Sequence, residues 1–189
     1  MKTYKILFIS LLGLMSIQIF AQGNTATHTI VVGVPDVALL DVEGGATINL
    51  SATPPTEAGD PISFGAANSD LWINYSSIIG SSTEPSRTVS VAVTQGSIPS
   101  GIVINLEVGN DAGNGGGSLG TPETQIIALS VAPQTIITGI ESAYTGDGAS
   151  SGHNLSYSGA LSNGGEDYSQ LDFDQNNTIL TVTYTLSDD

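Results

Sequence analysis

One short segment of the sequence matches a catalytic motif. Residues 148–152 read Gly-Ala-Ser-Ser-Gly and fit the G-x-S-x-G pattern, in which the central serine of some hydrolases is the nucleophile. That serine needs a sharp turn between a buried strand and a helix, whereas here a Thr-Gly-Asp run precedes the motif and a predicted strand follows it. The only histidines are His28 and His153, which also argues against a triad. We therefore predict that the protein is not an enzyme.

Oxygen-bearing side chains are concentrated near the C terminus, where the chemistry they could support is calcium binding. Asp172, Asp174 and Asn176 have the spacing that opens a calcium loop, but the glycine and the final carboxylate of an EF-hand are missing. A looser site would recruit Glu166 and Asp167 as well. The alternative is a plain strand, in which the intervening apolar residues face the core and the aspartates face water. Calcium is the one cofactor that the sequence suggests.

Trp72 is the only tryptophan and lies in the run Leu-Trp-Ile-Asn-Tyr. In a strand, Trp72 and Asn74 share one face, while Leu71, Ile73 and Tyr75 share the other. If the first face is exposed, the indole can stack on a sugar ring while Asn74 bonds to its hydroxyls. If that face is covered, Trp72 is a packing residue. Trp72 and Asn74 are therefore the candidate ligand-binding residues, and both alternatives stay open.

The charge balance restricts the partners of the protein. The sequence has 189 residues with 18 Asp or Glu and 3 Lys or Arg. Because Lys2 and Lys5 precede the predicted domain, residues 22–189 carry one cation, Arg87, against 18 carboxylates, a side-chain charge of −17. Binding to nucleic acid needs clustered basic residues, so nucleic acid is excluded as a partner. The classes of partner that this charge permits are glycans, other surface proteins, a second copy of the chain and divalent cations.

The N terminus has the pattern of a secretory signal peptide. Lys2 and Lys5 precede a mostly apolar run over residues 6–20, and Ala21 offers a cleavage position. The run is shorter than the roughly 20 residues that span a bilayer. We therefore expect residues 1–21 to be a signal peptide and residues 22–189 to be a secreted domain, located in the periplasm, at the cell surface or outside the cell. No transmembrane segment is expected in that domain, and no disulfide, since there is no cysteine.

Nearly all of the secreted domain alternates with period two. We predict an all-β fold, a single β-sandwich of immunoglobulin-like or pilin-like type with Greek-key connections and about ten short strands. The clearest strand is the closing one, which alternates Leu180, Val182, Tyr184 and Leu186 with threonines. Two glycine-rich stretches, residues 110–120 and 145–152, are predicted to be flexible loops. The other predicted strands cover residues 29–34, 37–43, 47–52, 71–76, 89–93, 102–108, 126–131, 135–138 and 153–158.

The closing segment, Thr-Val-Thr-Tyr-Thr-Leu-Ser-Asp at residues 181–188, resembles the last strand of WxL-type surface domains. The acidic, cysteine-free composition also resembles that of some fimbrial subunits. These resemblances imply a structural or adhesive protein of the bacterial cell surface. The alternative from the residues is a glycan-binding module that uses Trp72 or a calcium site.

The N-terminal stretch over residues 24–34 bears on self-assembly. Its alternating apolar residues Ile30, Val32 and Val34 can complete the sheet of their own domain or add to the edge of a neighbouring copy. We expect the first of these arrangements, because nothing in the sequence marks the segment as an assembly signal.

Overall fold

The computed structural model describes residues 25–45, 47–80, 84–175 and 177–189. The predicted signal peptide, residues 1–21, and Asn176 lie outside these residues. In the described part of the chain, no helix is long and apolar enough to cross a membrane. The chain divides into residues up to Gly33 and the compact unit from Val34 onward. The second unit contains the strands described below.

The fold is all-β, as predicted, and its regular elements are strands and short 3₁₀ turns. Single 3₁₀ turns lie at Ser162–Gly165, Tyr168–Gln170 and Phe173–Gln175. The strands, numbered in chain order, are β1 (Val37–Glu43), β2 (Ala52–Thr53), β3 (Ser63–Phe64), β4 (Asn68–Ile78), β5 (Arg87–Gln95), β6 (Ile102–Asp111), β7 (Gly116–Pro122), β8 (Ile127–Ala128), β9 (Gln134–Tyr144), β10 (His153–Leu161) and β11 (Thr181–Asp188).

Antiparallel pairing arranges nine of these strands in two facing layers of a β-sandwich. One layer has the order β11-β5-β9-β7, and the other has the order β1-β4-β10-β6-β8. The layers are joined at one corner, where the end of β4 leaves β10 and pairs with the end of β9 through Ser76–Tyr144 and Ser77–Ala143. β2 and β3 form a separate two-stranded ribbon. This corner brings residues from three different strands together on the outer surface.

A single hydrophobic core lies between the two layers. Its fully buried side chains come from both, with Ile73, Leu106 and Leu155 on one layer and Val89 and Ile137 on the other. The alternation of β-branched and leucine residues along each strand directs these side chains inward, so burial of apolar surface stabilises the fold. No disulfide contributes, since the sequence has no cysteine.

Three tyrosines extend the core and make the stability of the fold sensitive to alkaline pH. Burial raises the pKa of Tyr75, Tyr157 and Tyr184 above the ordinary value. The hydroxyls of Tyr157 and Tyr184 hydrogen-bond to each other between the layers. Since these phenols resist ionisation only in the folded state, their contribution to stability is complete below about pH 10, the pKa of an unfolded tyrosine, and is lost as the pH rises further.

We therefore expect the free energy of unfolding to fall steeply above about pH 10. Denaturant titrations at about pH 8 and about pH 11 would measure this loss. In Tyr184→Phe, which has no proton to release, the loss between the two pH values should be smaller. Equal pH dependence of the two proteins would contradict this assignment.

Arg87 forms a buried ion cluster where the chain enters and leaves the sandwich. Its guanidinium is 2% exposed and forms ion pairs with Asp36 at 2.8 Å, Asp188 at 2.6 Å and Glu84 at 3.2 Å. It also donates to the backbone carbonyls of Val37 and Ile78. The hydrogen bonds that Arg87 donates to the carboxylates of Asp36 and Asp188 raise the pKa of Arg87, so the group stays charged. The cluster thus ties β1, the end of β4 and the last residues of β11 to the start of β5.

Most of the glycine-rich stretch over residues 110–120 belongs to strands, and only residues 112–115 form a connection, which corrects the predicted loop in part. β6 continues to Asp111, and Gly116–Pro122 forms β7, which pairs with β9. β7 lies so close to β9 that a Cβ atom at Gly117 would be 2.2 Å from the backbone oxygen of Ser142. The glycines therefore permit the close approach of two backbones. The other predicted loop, residues 145–152, does connect β9 to β10.

Two predicted N-terminal strands are also wrong. Residues 25–36 form no strand, so the expectation that residues 24–34 close their own sandwich is not met in the described part of that segment. Of the predicted strand over residues 47–52, only Ala52 belongs to one. In both segments apolar residues alternate, but the side chains of Ile30, Val32 and Val34 remain 73%, 81% and 74% exposed. Alternation alone does not supply a partner strand.

Candidate functional site

The corner where β1, β4 and β9 meet carries a row of three outward-facing side chains. Leu39 of β1 pairs with Ser76 of β4, and Ser76 pairs in turn with Tyr144 of β9. Leu39 and Tyr144 are 66% and 57% exposed, unusually high values for large residues in strands. Because Ser76 is small, it leaves a depression between the two larger side chains. The row therefore has apolar walls and a narrow polar floor.

The ring of Tyr144 is supported from one side by β7. Gly116 pairs with Tyr144, and a Cβ atom at Gly116 would be 3.3 Å from the ring atom Cε1. A side chain larger than glycine at this position would crowd the ring. The close packing of glycine beneath the aromatic side chain holds the ring in place and leaves its remaining surface toward solvent.

The next row along β4 contains Asn74, one of the two residues that the sequence suggests as ligand-binding. Asn74 pairs with Asp41 of β1 and is 5% exposed. It is covered by the loop over residues 145–152, which we name the covering loop: Nδ2 of Asn74 donates to the carbonyl of Gly148 at 3.0 Å. In the described part of the chain, its Oδ1 is a buried acceptor without a hydrogen-bond partner. This oxygen lies beneath the covering loop, 2.8 Å from the position that a Cβ atom at Gly152 would take, so it is not exposed to a ligand in solution.

These rows and the covering loop enclose an open groove of about 490 Å³, which we name the Tyr144 groove. That volume is within the range of about 300 to 1,000 Å³ that is typical of small-molecule sites. Side chains from three strands and the covering loop line it: Leu39, Asp41, Asn74, Ser76, Tyr144 and Asp147.

The electrostatics of the groove are those of an acidic surface. Asp41 and Asp147 are both exposed. Asp41 accepts a hydrogen bond from the backbone of Val42 at 2.7 Å and keeps further acceptor capacity. Among the described residues Arg87 is the only Lys or Arg side chain, and its three carboxylate partners already occupy it. The groove can therefore accept hydrogen bonds from a ligand and repels anions.

A buried polar network fixes the wall behind the groove. The backbone amide of Tyr75 donates to Oγ1 of Thr145 at 3.0 Å, and the amide of Thr145 donates to the carbonyl of Tyr75 at 3.1 Å. The hydroxyl of Tyr75 contacts Nε2 of His153 at 3.0 Å and also hydrogen-bonds to the carbonyl of Leu119. Nδ1 of His153 lies 2.9 Å from the carbonyl of Gly109. These bonds anchor both ends of the covering loop to β4.

The second suggested ligand-binding residue, Trp72, lies outside the groove. It faces outward on β4, as alternation predicts, and pairs with Glu43 on one side and Asn154 on the other. The side chain is half-buried, so it is neither a core residue nor a fully open stacking platform. The structure brings Asn74 together with Tyr144 instead. Their proximity depends on the register between β4 and β9, which has no signature in the sequence.

The acidic residues suggested as calcium ligands lie in and beside the 3₁₀ turns before β11. The carboxylate of Asp167 accepts hydrogen bonds from Ser162, Asn163 and Gln170, and that of Asp172 accepts one from the backbone of Asp174 at 3.0 Å. Among the described residues, no group of three or more His, Asp or Glu side chains is placed to hold a metal ion. Glu166 is exposed and Asn176 is outside the described residues, so calcium binding stays a prediction.

The alternative reading of the same segment, a plain strand, is wrong. Residues 173–175 form a 3₁₀ turn, and Phe173 is 88% exposed. The hydrogen bond from the amide of Asp174 to the side chain of Asp172 closes a local turn in place of strand pairing.

The G-x-S-x-G match belongs to the covering loop. Ser150, its central residue, has a φ of 70° and lies between two strands, with no helix following it. The carbonyl of Ser150 accepts a hydrogen bond from Asn114, and the side chain of Ser151 bonds to the carbonyl of Asp147 at 3.1 Å. His153 is buried in the network with Tyr75. These contacts give the segment a role in shaping the loop.

Comparisons with protein-family models, with characterised proteins and with solved structures found no match for this chain. The residues that the structure describes form an acidic all-β sandwich with an open groove, lined by an aromatic ring and carboxylates, at a corner of its layers.

Proposed function

We propose that this chain is a secreted, non-catalytic structural or adhesive protein of the cell surface, comparable to a fimbrial subunit or a wall-associated sandwich domain. The observation that carries the proposal is the apolar N-terminal segment, residues 30–34. Its large aliphatic residues are 73% to 90% exposed and belong to no strand. Contiguous exposed aliphatic residues typically mark an interaction site.

The sandwich offers edges to which such a segment could be added. Among the described residues, β1, β7, β8 and β11 each pair with only one other strand. An edge strand has a row of free backbone donors and acceptors, and an extended segment from another copy can satisfy them. This supports self-assembly through the N-terminal segment, with other surface proteins as further partners.

Deletion of residues 22–34 tests the proposal. We expect the truncated protein to remain a folded monomer with an unchanged melting midpoint, because the deleted residues form no strand in the described part of that stretch. We also expect it to lose the ability to form oligomers, which size-exclusion chromatography with light scattering and electron microscopy would measure.

A matched pair of full-length variants separates the apolar residues from chain length. Ile30→Asn with Val32→Asn should abolish assembly, whereas Thr25→Asn with Thr27→Asn should leave it intact. If the segment instead closed its own sandwich, the deletion would expose an edge and cause aggregation. Assembly of the truncated protein at the full-length level would also refute the proposal.

The second candidate function is glycan binding, and the Tyr144 groove favours it. An exposed aromatic ring beside hydrogen-bonding side chains is a common arrangement for holding small polar ligands. The two functions are compatible, since an adhesive surface protein can recognise glycans.

A further inference from the structure

We propose that the Tyr144 groove binds a glycan that has no acidic groups, with one pyranose ring stacked against Tyr144. The inference rests on glycan binding as the second candidate function and specifies its subsite and the charge of its ligand. It assigns the stacking residue to Tyr144 in place of Trp72 and requires no metal ion.

The shape of the groove fits a flat ring. Tyr144 and Leu39 lie at opposite ends of one row with the small Ser76 between them. A sugar ring has apolar C–H faces, which pack on an aromatic side chain and on leucine at the same time. The ring of Tyr144 lies over Gly116, where a side chain would crowd it, so the glycine leaves room for the ring in this position. The cavity, about 490 Å³, is large for a single amino-acid side chain and suits a short glycan.

The polar groups of the groove match hydroxyls better than they match an apolar ligand. Asp41 and Asp147 present exposed carboxylates, which form strong hydrogen bonds with hydroxyl donors. An apolar ligand would desolvate these acceptors without pairing them, which opposes its binding. A polyol supplies several donors along one edge of its ring.

The charge of the groove selects among glycans. Two carboxylates flank the site, and residues 22–189 carry one cation against 18 carboxylates. Uronates, sialic acids and sulfated or phosphorylated sugars would therefore be repelled. Neutral sugars are not repelled, and sugars with a free amine would gain an ion pair with Asp41 or Asp147.

Binding to purified oligosaccharides tests the proposal with the full secreted chain. The probes are cellohexaose and mannohexaose as neutral chains, the chitosan hexamer as an amino chain, and hexagalacturonate as an acidic chain. By calorimetry, we expect at least one of the first three to bind and hexagalacturonate not to bind. Tyr144→Ala should weaken that binding by about tenfold, since a stacked aromatic contact contributes on that scale.

Two further variants control the experiment. Phe173→Ala removes an aromatic side chain that is 88% exposed and does not line the groove. This variant should bind oligosaccharides as the wild type does. Asp41→Asn with Asp147→Asn removes both charges while preserving size. It should weaken binding of the chitosan hexamer and relax the exclusion of hexagalacturonate.

Each remaining outcome overturns a defined part of the proposal. Binding that persists unchanged in Tyr144→Ala overturns the groove assignment while glycan binding stands. Tight binding of hexagalacturonate to the wild type overturns the charge selection. If none of the four oligosaccharides binds, both the inference and glycan binding fail. The deletion of residues 22–34 then still decides the structural function independently.

Discussion

Arg87→Met is expected to lower the free energy of unfolding by about 3 kcal/mol. The guanidinium is 2% exposed and satisfies two backbone carbonyls as well as three carboxylates. Methionine fills the space but donates no hydrogen bond, so the half-buried carbonyls of Val37 and Ile78 lose this donor. The expected loss is at the lower end of the range for buried pairs because Asp36 and Asp188, 69% and 51% exposed, can return to water. Denaturant titration would measure it.

Variants of the carboxylate partners test whether the loss of stability comes from the buried guanidinium and not from the exposed carboxylates. Asp36→Asn and Asp188→Asn each remove one exposed charge and should cost less than about 1 kcal/mol. Arg87→Lys keeps the charge but cannot reach all the partners of the guanidinium, so its stability should lie between those of the wild type and Arg87→Met. If Arg87→Met unfolded at the same denaturant concentration as the wild type, the cluster would have no stabilising role.

Gly117→Ala is expected to destabilise the sandwich by about 3 kcal/mol or more. An alanine at the φ of 89° found here costs about 1 to 2 kcal/mol in backbone strain. The added Cβ atom would also be 2.2 Å from the oxygen of Ser142 and 2.7 Å from Cα of Ala143. Because both are backbone atoms of β9, the strands must separate, which adds about 1 to 3 kcal/mol of overpacking.

Gly113→Ala is the matched control for this prediction. Gly113 has a nearly equal φ of 82°, but a Cβ atom there would meet nothing within 4 Å. Gly113→Ala should therefore lose only the stability that backbone strain costs. The difference in unfolding free energy between the two variants then measures the cost of separating β7 from β9. Thermal melts followed by circular dichroism would give both values. Equal destabilisation would mean that the two strands do not need to be so close.

The strands that alternate apolar and polar residues could be predicted because each has one buried and one exposed face. The predicted strand over residues 37–43 coincides with β1, and the closing strand is β11. β7 was missed because three of its seven residues are glycine, which leaves no alternating hydrophobic pattern. Its place depends on contact with β9, which is distant in the sequence. The opposite error occurred at residues 29–34, where the pattern of a strand exists without a paired neighbour.

The candidate site was predictable only in part. Asn74 was recognised because strand alternation placed it on the outer face of β4. Tyr144 was not, because it reaches Ser76 only through the register at the corner of the two layers. Such a register results from long-range pairing and is not visible in local periodicity. Tyr144 is also one of six tyrosines, so its residue type does not distinguish it, whereas Trp72 is the only tryptophan.

The Arg87 cluster also determines how the domain would respond to mechanical load. Asp36, just before β1, and Asp188, at the end of β11, bond to the same guanidinium, so both ends of the sandwich lie at one corner. A force that pulls these ends apart would break the hydrogen bonds of β1 to β4 and of β11 to β5 one pair of residues at a time. The strands would peel in sequence, and the full ladders would not be sheared together. A domain of this design withstands tension best when the load enters at a point on the sandwich away from these two ends.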